Sequence, residues 1–438
     1  MIDDLQTYMK QHRATTLFVV TGTIQGRKLR ELLDSASGMG FQLKILPPLG
    51  DHLRGADSVP IREVSYNDLL RREPADLDLS AIEKLIVGKT VLVTGAGGSI
   101  GSELCRQLSK FSPGKLVLLG RGENRIYHIE RELREKFPHI EHVPRIANIT
   151  DAPRIGEIFD ELKPDLVFHA AAHKHVPLVE QNIGESIINN ILGTKVIADH
   201  AHRTGVNRFV MVSTDKAVNP TSVMGCTKQM AERYCQSIGE NSKTAFISTR
   251  FGNVLGSAGS VVPLFQEQIR RGGPITLTDK RMTRYFMTIP EASQLVIQAA
   301  SMGTGGEIFV LEMGEPVKIL DLAYDLIRLA GQTPDSIEIV ERGMRPGEKL
   351  YEELYYGDET SLPTSHEQIL SANSRPFRFE EVEHQVATLV ESAYKDRDVI
   401  LGLIKKFVPE YGQPKGTSPA HLKKRAPKVG LRSSESVS

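Results

Sequence analysis

Short apolar runs alternate with helical stretches along the central part of the chain. From Lys89 onward, the runs that predict strands are residues 91–94, 116–119, 166–169, 209–213, 245–248 and 308–311. The segments between them space their apolar residues as the buried face of a helix does. Strands that alternate with helices at this rhythm are typical of a parallel sheet covered by helices on both faces. We therefore predict an α/β fold built on a doubly wound parallel sheet.

The same patterns divide the rest of the chain. Apolar runs at 17–20 and 41–46, with a helical pattern at 27–33 between them, predict a β-α-β segment that is too small to form a stable sheet alone. The domain boundaries that we predict are 1–87 for this N-terminal region and a connector, 88–375 for the main domain with a smaller C-terminal lobe mainly at 250–375, 376–411 for a helical segment, and 412–438 for a disordered basic tail.

Composition narrows the classes of function. The 438 residues contain 54 Lys and Arg against 54 Asp and Glu, a net charge of zero. A protein that neutralises nucleic acid or an anionic membrane surface needs a basic surplus, so we predict neither partner. Three cysteines without CxxC spacing indicate buried thiols and no zinc site. The chain has no signal peptide and no apolar run of about 20 residues, so we predict a soluble, cytoplasmic protein without direct membrane insertion.

A glycine-rich loop follows the first strand of the main domain. Its candidate cofactor-binding residues are Gly95, Gly97, Gly98, Ser99, Ile100 and Gly101, and a helical pattern begins directly after them. A dinucleotide pyrophosphate needs a tight turn, a backbone without Cβ atoms where it approaches, and free N–H groups at a helix start. This strand, loop and helix therefore predict a Rossmann-type dinucleotide site.

The end of the second strand bears on the choice between NAD and NADP. A ribose-binding carboxylate is expected there, but the sequence has Gly120 followed by Arg121. A 2′-phosphate would meet no negative charge at this point and would pair with Arg121. We predict NADP or NAD with a preference for NADP. The alternative is that Arg121 is a surface residue and Glu123 binds the ribose.

Several motifs agree with one known family. They are Thr94–Gly101, His169–Pro177, Ser213–Pro220, Arg250–Gly256, Met282–Met287 and Arg345–Lys349. With these motifs the chain resembles the extended short-chain dehydrogenase/reductase superfamily and, within it, the UDP-N-acetylglucosamine 4,6-dehydratases of bacterial polysaccharide biosynthesis. Residues 44–47 and 61–74 resemble the end of the domain that precedes catalysis in long, membrane-anchored members. The chain is similar to a shortened, soluble form of them.

The resemblance implies a reaction and a set of catalytic residues. C4 of the hexose is oxidised by the nicotinamide, water is eliminated across C5 and C6, and the hydride returns to C6, so the cofactor is recycled. Thr214 would contact the C4 oxygen, Asp215 would act as the acid and Lys216 as the base at C5. We expect burial beside Lys228 and the cofactor to lower the pKa of Lys216, because a base must be neutral.

One position departs from the superfamily pattern. The tyrosine of its Tyr-x-x-x-Lys motif is replaced by Met224, although Lys228 is retained. Methionine neither donates nor accepts this proton, so we predict that Asp215 removes the proton of the C4 hydroxyl. Tyr411 and Lys415 have the motif's spacing, but Gly412 and Pro414 lie between them and prevent a helix, so this is a chance match.

The resemblance also assigns binding residues. For the cofactor it adds Asn148, Ile149, Ala170, Ala171 and Lys228. For a UDP-N-acetylhexosamine substrate it points to Lys174, Asn253, Val261, Arg284, Arg345 and Glu348, each of which could instead be an internal ion-pair or packing residue. The histidines 169, 173 and 175 do not suggest a metal site, and Asn190 is predicted to be structural. Residues 183–200 and 227–238 correspond to a face through which such enzymes form homo-oligomers.

Two other functions are compatible with the sequence. A UDP-sugar 4-epimerase needs C4 oxidation but no base at C5, so the adjacent Asp215 and Lys216 favour the dehydratase. A catalytically inactive, nucleotide-binding scaffold protein is the second alternative, and Met224 is the residue that supports it best. We predict the dehydratase.

Overall fold

A computed structural model describes residues 7–9, 11–20, 27–39, 41–46, 61–64, 66–69, 75–356, 361–372 and 377–412. Much of the predicted connector, at 47–60 and 70–74, lies outside these residues. The predicted basic tail lies outside them from residue 413 onward. Within the described ranges, no helix combines the length and the apolar character that a bilayer-crossing helix needs.

The strands of the described residues are numbered here in chain order. They are β1 (Thr16–Val20), β2 (Gln42–Leu46), β3 (Arg62–Glu63), β4 (Thr90–Thr94), β5 (Lys115–Gly120), β6 (Glu141–Ile146), β7 (Leu166–His169), β8 (Arg208–Val212), β9 (Ala245–Arg250), β10 (Asn253–Val254), β11 (Ile275–Leu277), β12 (Thr283–Arg284), β13 (Phe286–Met287), β14 (Ile308–Leu311), β15 (Val317–Lys318), β16 (Ile339–Glu341), β17 (Ser361–Pro363) and β18 (Ile369–Ala372).

The helices of the described residues are also numbered in chain order. They are α1 (Arg27–Met39), α2 (Tyr66–Leu69), α3 (Leu79–Ile86), α4 (Ser99–Ser109), α5 (Glu123–Lys136), α6 (Ala152–Leu162), α7 (Val176–Gln181), α8 (Ile183–Ser186), α9 (Gly193–Thr204), α10 (Val223–Gly239), α11 (Val261–Arg270), α12 (Ile289–Met302), α13 (Ile319–Leu329), α14 (Phe379–Glu391) and α15 (Arg397–Phe407). A π-helical turn (Ile187–Leu192) joins α8 to α9, and short 3₁₀ turns lie at Asp215–Ala217 and Pro334–Ser336.

The central sheet confirms the predicted doubly wound fold. Its strand order is β17-β18-β14-β9-β8-β7-β4-β5-β6, and the seven strands from β14 to β6 are parallel. The strand order reverses between β4 and β7, and a crevice opens at such a point beyond the carboxyl ends of the strands. All six predicted strands lie in this sheet. The edge strands β6 and β17 and the strand β18 were not predicted, and β18 pairs antiparallel with both β14 and β17.

Alternation within the inner strands builds a core on each face of the sheet. Leu116 and Leu118 of β5 pack into one cluster with helices α3, α4 and α12, whereas Val117 and Leu119 pack into the other with α6, α9 and α10. Both faces are therefore apolar, which explains why these strands read as unbroken hydrophobic runs. The three cysteines are free and buried, as predicted.

The lobe is formed by two separate stretches of the chain. Strands β10 to β13, β15 and β16 pair with one another outside the central sheet, and α11 and α13 pack beside them. Between these stretches, α12 and β14 return to the main domain. The N-terminal strands β1 and β2 pair in parallel, and α1 packs against α13 of the lobe in a shared core that includes Leu29, Phe265 and Leu326. The small sheet thus gains from the lobe the apolar contacts that it cannot provide itself.

The C-terminal helix α14 covers part of the predicted oligomer face. Its apolar residues pack on α10 and on the π-helical turn, and the rings of Phe379 and Tyr234 lie 6.0 Å apart. This part of the face is therefore occupied by the chain itself. The homo-oligomer stays a prediction.

Candidate active site

One large cavity brings the predicted site residues together. Its volume is about 1220 Å³, and it lies between the carboxyl edge of the central sheet and the lobe. The predicted residues that line it are Gly97, Gly98, Ser99, Ile100, Gly101, Ala170, Lys174, Thr214, Lys216, Met224, Lys228, Asn253, Val261, Arg284, Arg345 and Glu348. Residues that are far apart in the chain thus surround one space.

The glycine loop has the geometry that a pyrophosphate requires. Gly95 has a φ of +66°, and a Cβ atom there would lie 2.9 Å from the Cα atom of Ala171, so only glycine fits. Gly98 is the N-cap residue of α4, and as a glycine it has no side chain that could accept hydrogen bonds from the first N–H groups of the helix. The N–H groups of the first turn of α4 therefore remain available to an anion, and their dipoles favour negative charge. The loop fits a dinucleotide cofactor.

The predicted cofactor residues Arg121, Asn148 and Ile149 are not among the residues that line this cavity. Arg121 is half exposed and its guanidinium lies 3.6 Å from the carboxylate of Glu185. Arg125, which sequence reasoning missed, lines the cavity, and a Cβ atom at Gly97 would lie 2.6 Å from its Cβ. Asn148 is exposed and accepts a hydrogen bond from the N–H of Thr150, while the Ile149 side chain is buried. The cofactor roles of Arg121, Asn148 and Ile149 stay predictions.

The turn after β8 holds the predicted acid and base. Thr214 is the N-cap residue of the 3₁₀ turn, and its hydroxyl donates to Oδ1 of Asp215 over 2.9 Å. Lys216 Nζ donates to the same Oδ1 over 2.9 Å and to Oδ1 of Asn253 over 3.0 Å. Asp215 is fully buried, and its Oδ2 has no hydrogen-bond partner among the described residues. Burial raises the pKa of Asp215, and the charge of Lys216 acts in the opposite direction.

A second carboxylate beside Lys216 was missed by sequence reasoning. Glu352 is buried, and its Oε1 lies 3.6 Å from Lys216 Nζ and 3.5 Å from Nε of Arg284. Burial opposes ionisation of Glu352, but the charges of Lys216 and Arg284 outweigh it and lower its pKa. No motif marked this residue, because its partners belong to other parts of the chain.

The carboxylates of Asp215 and Glu352 together overturn one expectation from the sequence. We expected a lowered pKa for Lys216, yet its pKa is raised. Burial acts to lower the pKa, but the negative charges of Asp215 and Glu352 act in the opposite direction and prevail. In the protein without substrate, Lys216 is therefore a charged ammonium group, and a base at C5 requires that it first lose a proton.

The helix after this turn carries Met224 and Lys228. Both side chains are buried, and both line the cavity. A Cβ atom at Gly225 would lie 2.2 Å from the carbonyl oxygen of Lys216, so this glycine allows α10 to approach the turn. Burial lowers the pKa of Lys228 to about 8. Of Lys216 and Lys228, it is therefore Lys228 that has the lowered pKa.

The lobe side of the cavity contains the predicted substrate residues. Lys174 Nζ donates to the hydroxyl of Ser257 over 3.2 Å, and burial lowers its pKa, with a further contribution from the charge of Lys216. Val261 is the first residue of α11. Asn253 presents its side chain to Lys216. Lys174 and Val261 therefore lie on the cavity wall, and Asn253 contacts Lys216; their roles in substrate binding stay predictions.

The two predicted arginines make internal contacts. Arg284 is buried and donates to the carbonyl oxygens of Thr283 over 2.7 Å, Lys349 over 2.7 Å and Leu350 over 3.1 Å. It therefore fixes the segment that carries Glu352. Nε of Arg345 donates to Oε1 of Glu348 over 3.0 Å. Direct contacts of these side chains with a substrate diphosphate stay predictions.

The histidines after β7 have internal partners. The hydroxyls of Thr94 and Thr194 lie 2.8 and 3.0 Å from the two ring nitrogens of His169, and burial lowers its pKa to about 3. Asn190 accepts from the N–H of His173 over 2.7 Å and donates to its carbonyl over 2.9 Å, so its predicted structural role is confirmed. No group of three metal-ligating side chains occurs within the described part of the chain.

A family model described as polysaccharide biosynthesis protein matches residues 91–374. This range contains both the glycine loop and the adjacent residues Asp215 and Lys216. The chain belongs to the polysaccharide biosynthesis protein family. Membership confirms the resemblance inferred from the motifs. The chain is related to UDP-N-acetylglucosamine 4,6-dehydratases and shares the short-chain dehydrogenase/reductase fold of its structural neighbours.

Curated relatives of this polysaccharide biosynthesis protein include the capsular polysaccharide biosynthesis protein CapD of Staphylococcus aureus, 49% identical over 90% of this chain and 67% of the relative. The UDP-N-acetylglucosamine 4,6-dehydratase (inverting) of Campylobacter jejuni is 32% identical over 71% of this chain and 90% of its own length. A UDP-glucose 4-epimerase of Rickettsia bellii is 34% identical over 63% of this chain and 80% of its length. The chain spans only about two thirds of CapD.

Solved structures of similar fold include Pen from Bacillus thuringiensis, with a TM-score of 0.60 and 32% identity over 69% of this chain and 98% of that one. The DesIV double mutant (dTDP-glucose 4,6-dehydratase) from Streptomyces venezuelae, solved with NAD and DAU bound, has a TM-score of 0.55 and 20% identity over 72% of this chain and 99% of that one. The latter similarity shows the fold alone. Nothing in these comparisons supports the predicted preference of this polysaccharide biosynthesis protein for NADP over NAD.

Proposed function

We propose that this chain is an NAD(P)-dependent dehydratase that converts UDP-N-acetylglucosamine to a UDP-4-keto-6-deoxyhexosamine. The observation that carries the proposal is the hydrogen bond between the buried Asp215 and Lys216, because Lys216 lines the same cavity as the glycine loop. Loss of water across C5 and C6 requires a base and an acid on one edge of the sugar, and these two adjacent residues provide both. The 32% sequence identity to a UDP-N-acetylglucosamine 4,6-dehydratase of Campylobacter jejuni supports this proposal.

The first step takes a proton from the C4 hydroxyl of the sugar. A nicotinamide cofactor would supply the reversible oxidation at C4. The Thr214 hydroxyl donates to Asp215 and can accept from the C4 hydroxyl, so a proton that leaves the sugar reaches Asp215 Oδ1. Met224 makes this route necessary, because the phenol of the usual tyrosine is missing. Burial raises the pKa of Asp215, which suits a carboxylate that must gain a proton.

The elimination then uses both side chains. The C4 ketone acidifies the hydrogen at C5, and a neutral Lys216 removes it as a proton. Protonated Asp215 transfers its proton to the C6 hydroxyl, and the C6–O bond breaks to release water. Asp215 ends this step as a carboxylate. The proton taken from the C4 hydroxyl leaves in the water, and the proton taken from C5 remains on Lys216 for return to that carbon.

Mass spectrometry of the sugar nucleotide tests the proposal. Purified protein is incubated with UDP-N-acetylglucosamine and NAD or NADP, and the expected product is lighter by one water. A product of unchanged mass with inverted configuration at C4 favours the epimerase. The sequence similarity to the Rickettsia epimerase supports this alternative. No change in the sugar nucleotide, with UDP binding retained, favours the inactive scaffold. Either result would contradict the proposed dehydratase.

A further inference from the structure

The proton balance at Lys216 leaves one transfer unassigned. Lys216 is charged before the reaction, because two carboxylates raise its pKa. In the proposed reaction Asp215 receives the proton of the C4 hydroxyl and must keep it until water leaves. Asp215 therefore has no capacity for the proton that Lys216 must lose before it can act at C5. A second proton acceptor is needed close to Nζ.

Glu352 has the position that this acceptor requires. Within the described part of the chain, the carboxylates at ion-pair distance from Lys216 Nζ are those of Asp215, at 2.9 Å, and Glu352, at 3.6 Å. Glu352 is buried, with a side chain only 3% exposed. Its Oε2 has no hydrogen-bond partner among the described residues, although a buried carboxylate oxygen normally has one. It can therefore take a proton without losing an existing hydrogen bond.

We propose that Glu352 is a positioning residue that acts through Lys216, accepting its proton before the elimination and returning it afterwards. This inference rests on the proposed function and deepens it. The N–H bond of the Lys216 ammonium breaks, its electron pair stays on nitrogen, and an O–H bond forms on Glu352. Lys216 then takes the C5 proton and later returns it to C5. When Glu352 gives back its own proton, all three side chains regain their starting charges.

The surrounding positive charges act on both partners of this exchange. Arg284 of β12 lies 3.5 Å from Glu352, and Lys349 lies earlier in the same segment; both lower the pKa of Glu352 and oppose its protonation, whereas its burial favours it. Lys174 adds a positive charge near Lys216 from the loop after β7. The oxidised nicotinamide would add another positive charge when bound. Positive charges that lie closer to Lys216 than to Glu352 favour the neutral form of Lys216, which is the form that the elimination requires.

Glu352→Gln is the test, because it removes the acceptor and preserves the shape of the side chain. In the wild type the transfer is internal, and kcat is expected to vary little across neutral pH. In Glu352→Gln, Lys216 must lose its proton to water, so kcat falls on the order of 10²-fold at neutral pH and then rises about tenfold per pH unit in alkaline buffer. Calorimetric titration with UDP and the urea midpoint report binding and folding independently of turnover.

Two further variants complete the experiment. Glu353→Gln is the matched control, because Glu353 pairs with Lys349 at 3.3 Å and does not contact Lys216; it should keep wild-type turnover and a flat pH profile. Glu352→Asp keeps an acceptor at longer reach and should retain the flat profile at reduced kcat. If Glu352→Gln does not fold, a steep pH profile in Glu352→Asp would overturn the inference.

The outcomes separate the two proposals. Wild-type water loss with a steep pH profile in Glu352→Gln supports both. Wild-type water loss with a Glu352→Gln variant that folds, binds UDP and loses the same fraction of activity at every pH overturns the role of Glu352 alone. Absence of water loss by the wild type overturns the proposed function, and the role of Glu352 with it.

Discussion

Lys216 Nζ donates to Asp215 Oδ1 over 2.9 Å, within one turn at the carboxyl end of β8. The bond joins a carboxyl group whose pKa is raised by burial to an amine whose pKa is raised by two carboxylates. An acid and a base that are adjacent in sequence thus lie side by side in space. Elimination of water across two neighbouring sugar carbons needs an acid and a base that lie close to each other in this way.

Asp215→Asn removes the acid and leaves an oxygen that can accept from Thr214. We expect kcat to fall by about 10²- to 10⁴-fold, because neither the C4 hydroxyl nor the leaving water is then served by a proton-transfer group. UDP affinity, measured by calorimetry, should be unchanged. Asp335→Asn, in an exposed turn, is the control. A kcat within tenfold of the wild type would show that Asp215 is not the acid.

Lys228→Met should change how stability depends on pH. Burial lowers the pKa of Lys228 to about 8 from an ordinary value of 10.5, so between these values the unfolded chain binds more protons than the folded one. The free energy of unfolding of the wild type therefore gains from rising pH in this window. The variant lacks this gain and should be more stable below pH 8 by about 3 kcal/mol. Urea unfolding at pH 7 and pH 10 measures the difference; equal differences at both would contradict the assignment.

Arg125 and Arg121 can be compared by cofactor binding. Arg125 lines the cavity beside the glycine loop, whereas Arg121 lies 3.6 Å from Glu185. We expect Arg125→Ala to raise the Kd for NADP about tenfold, the value of one charge-assisted hydrogen bond, and Arg121→Ala to raise it less than about twofold. Calorimetry with NAD and NADP provides the measurement. A larger, NADP-specific loss in Arg121→Ala would instead support the preference inferred from the sequence.

Gly225→Ala tests the close approach of α10 to the catalytic turn. The new Cβ would lie 2.2 Å from the carbonyl oxygen of Lys216, so the helix or the turn must move. We expect kcat to fall on the order of 10²-fold because acid and base are displaced, while the fold persists. Gly239→Ala is the control on the same helix, since its Cβ would meet Phe246 at an ordinary 3.4 Å. Equal activities of both variants would contradict the prediction.

The sequence predicted the inner strands because the physics of a two-sided core marks them. Strands such as β5 are apolar at consecutive positions, since both faces are buried. The edge strand β6 lacked this signal: it is largely exposed and contains Pro144, which an edge tolerates. Strands β17 and β18 were missed because their pairing is antiparallel and they follow a long excursion through the lobe.

The candidate site was predictable where chemistry is local in the chain. The glycine loop and the adjacent Asp215 and Lys216 belong to continuous motifs. The loop and Lys216 line one cavity, and the buried Asp215 accepts a hydrogen bond from Lys216. Glu352 and Arg125 act through neighbours on other elements, so no spacing in the sequence marked them. The pKa of Lys216 was predicted in the wrong direction because the negative charges of Asp215 and Glu352 together outweigh burial.

An isotope label at C4 of the substrate tests the central claim most directly. The protein is incubated with UDP-N-acetylglucosamine that carries deuterium at C4, in ordinary water, and the product is examined by NMR. The account predicts a 4-keto-6-deoxy sugar with the deuterium at C6 and ordinary hydrogen at C5. Recovery of the deuterium at C4 of an intact hexose, or a dehydrated product without deuterium at C6, would contradict it.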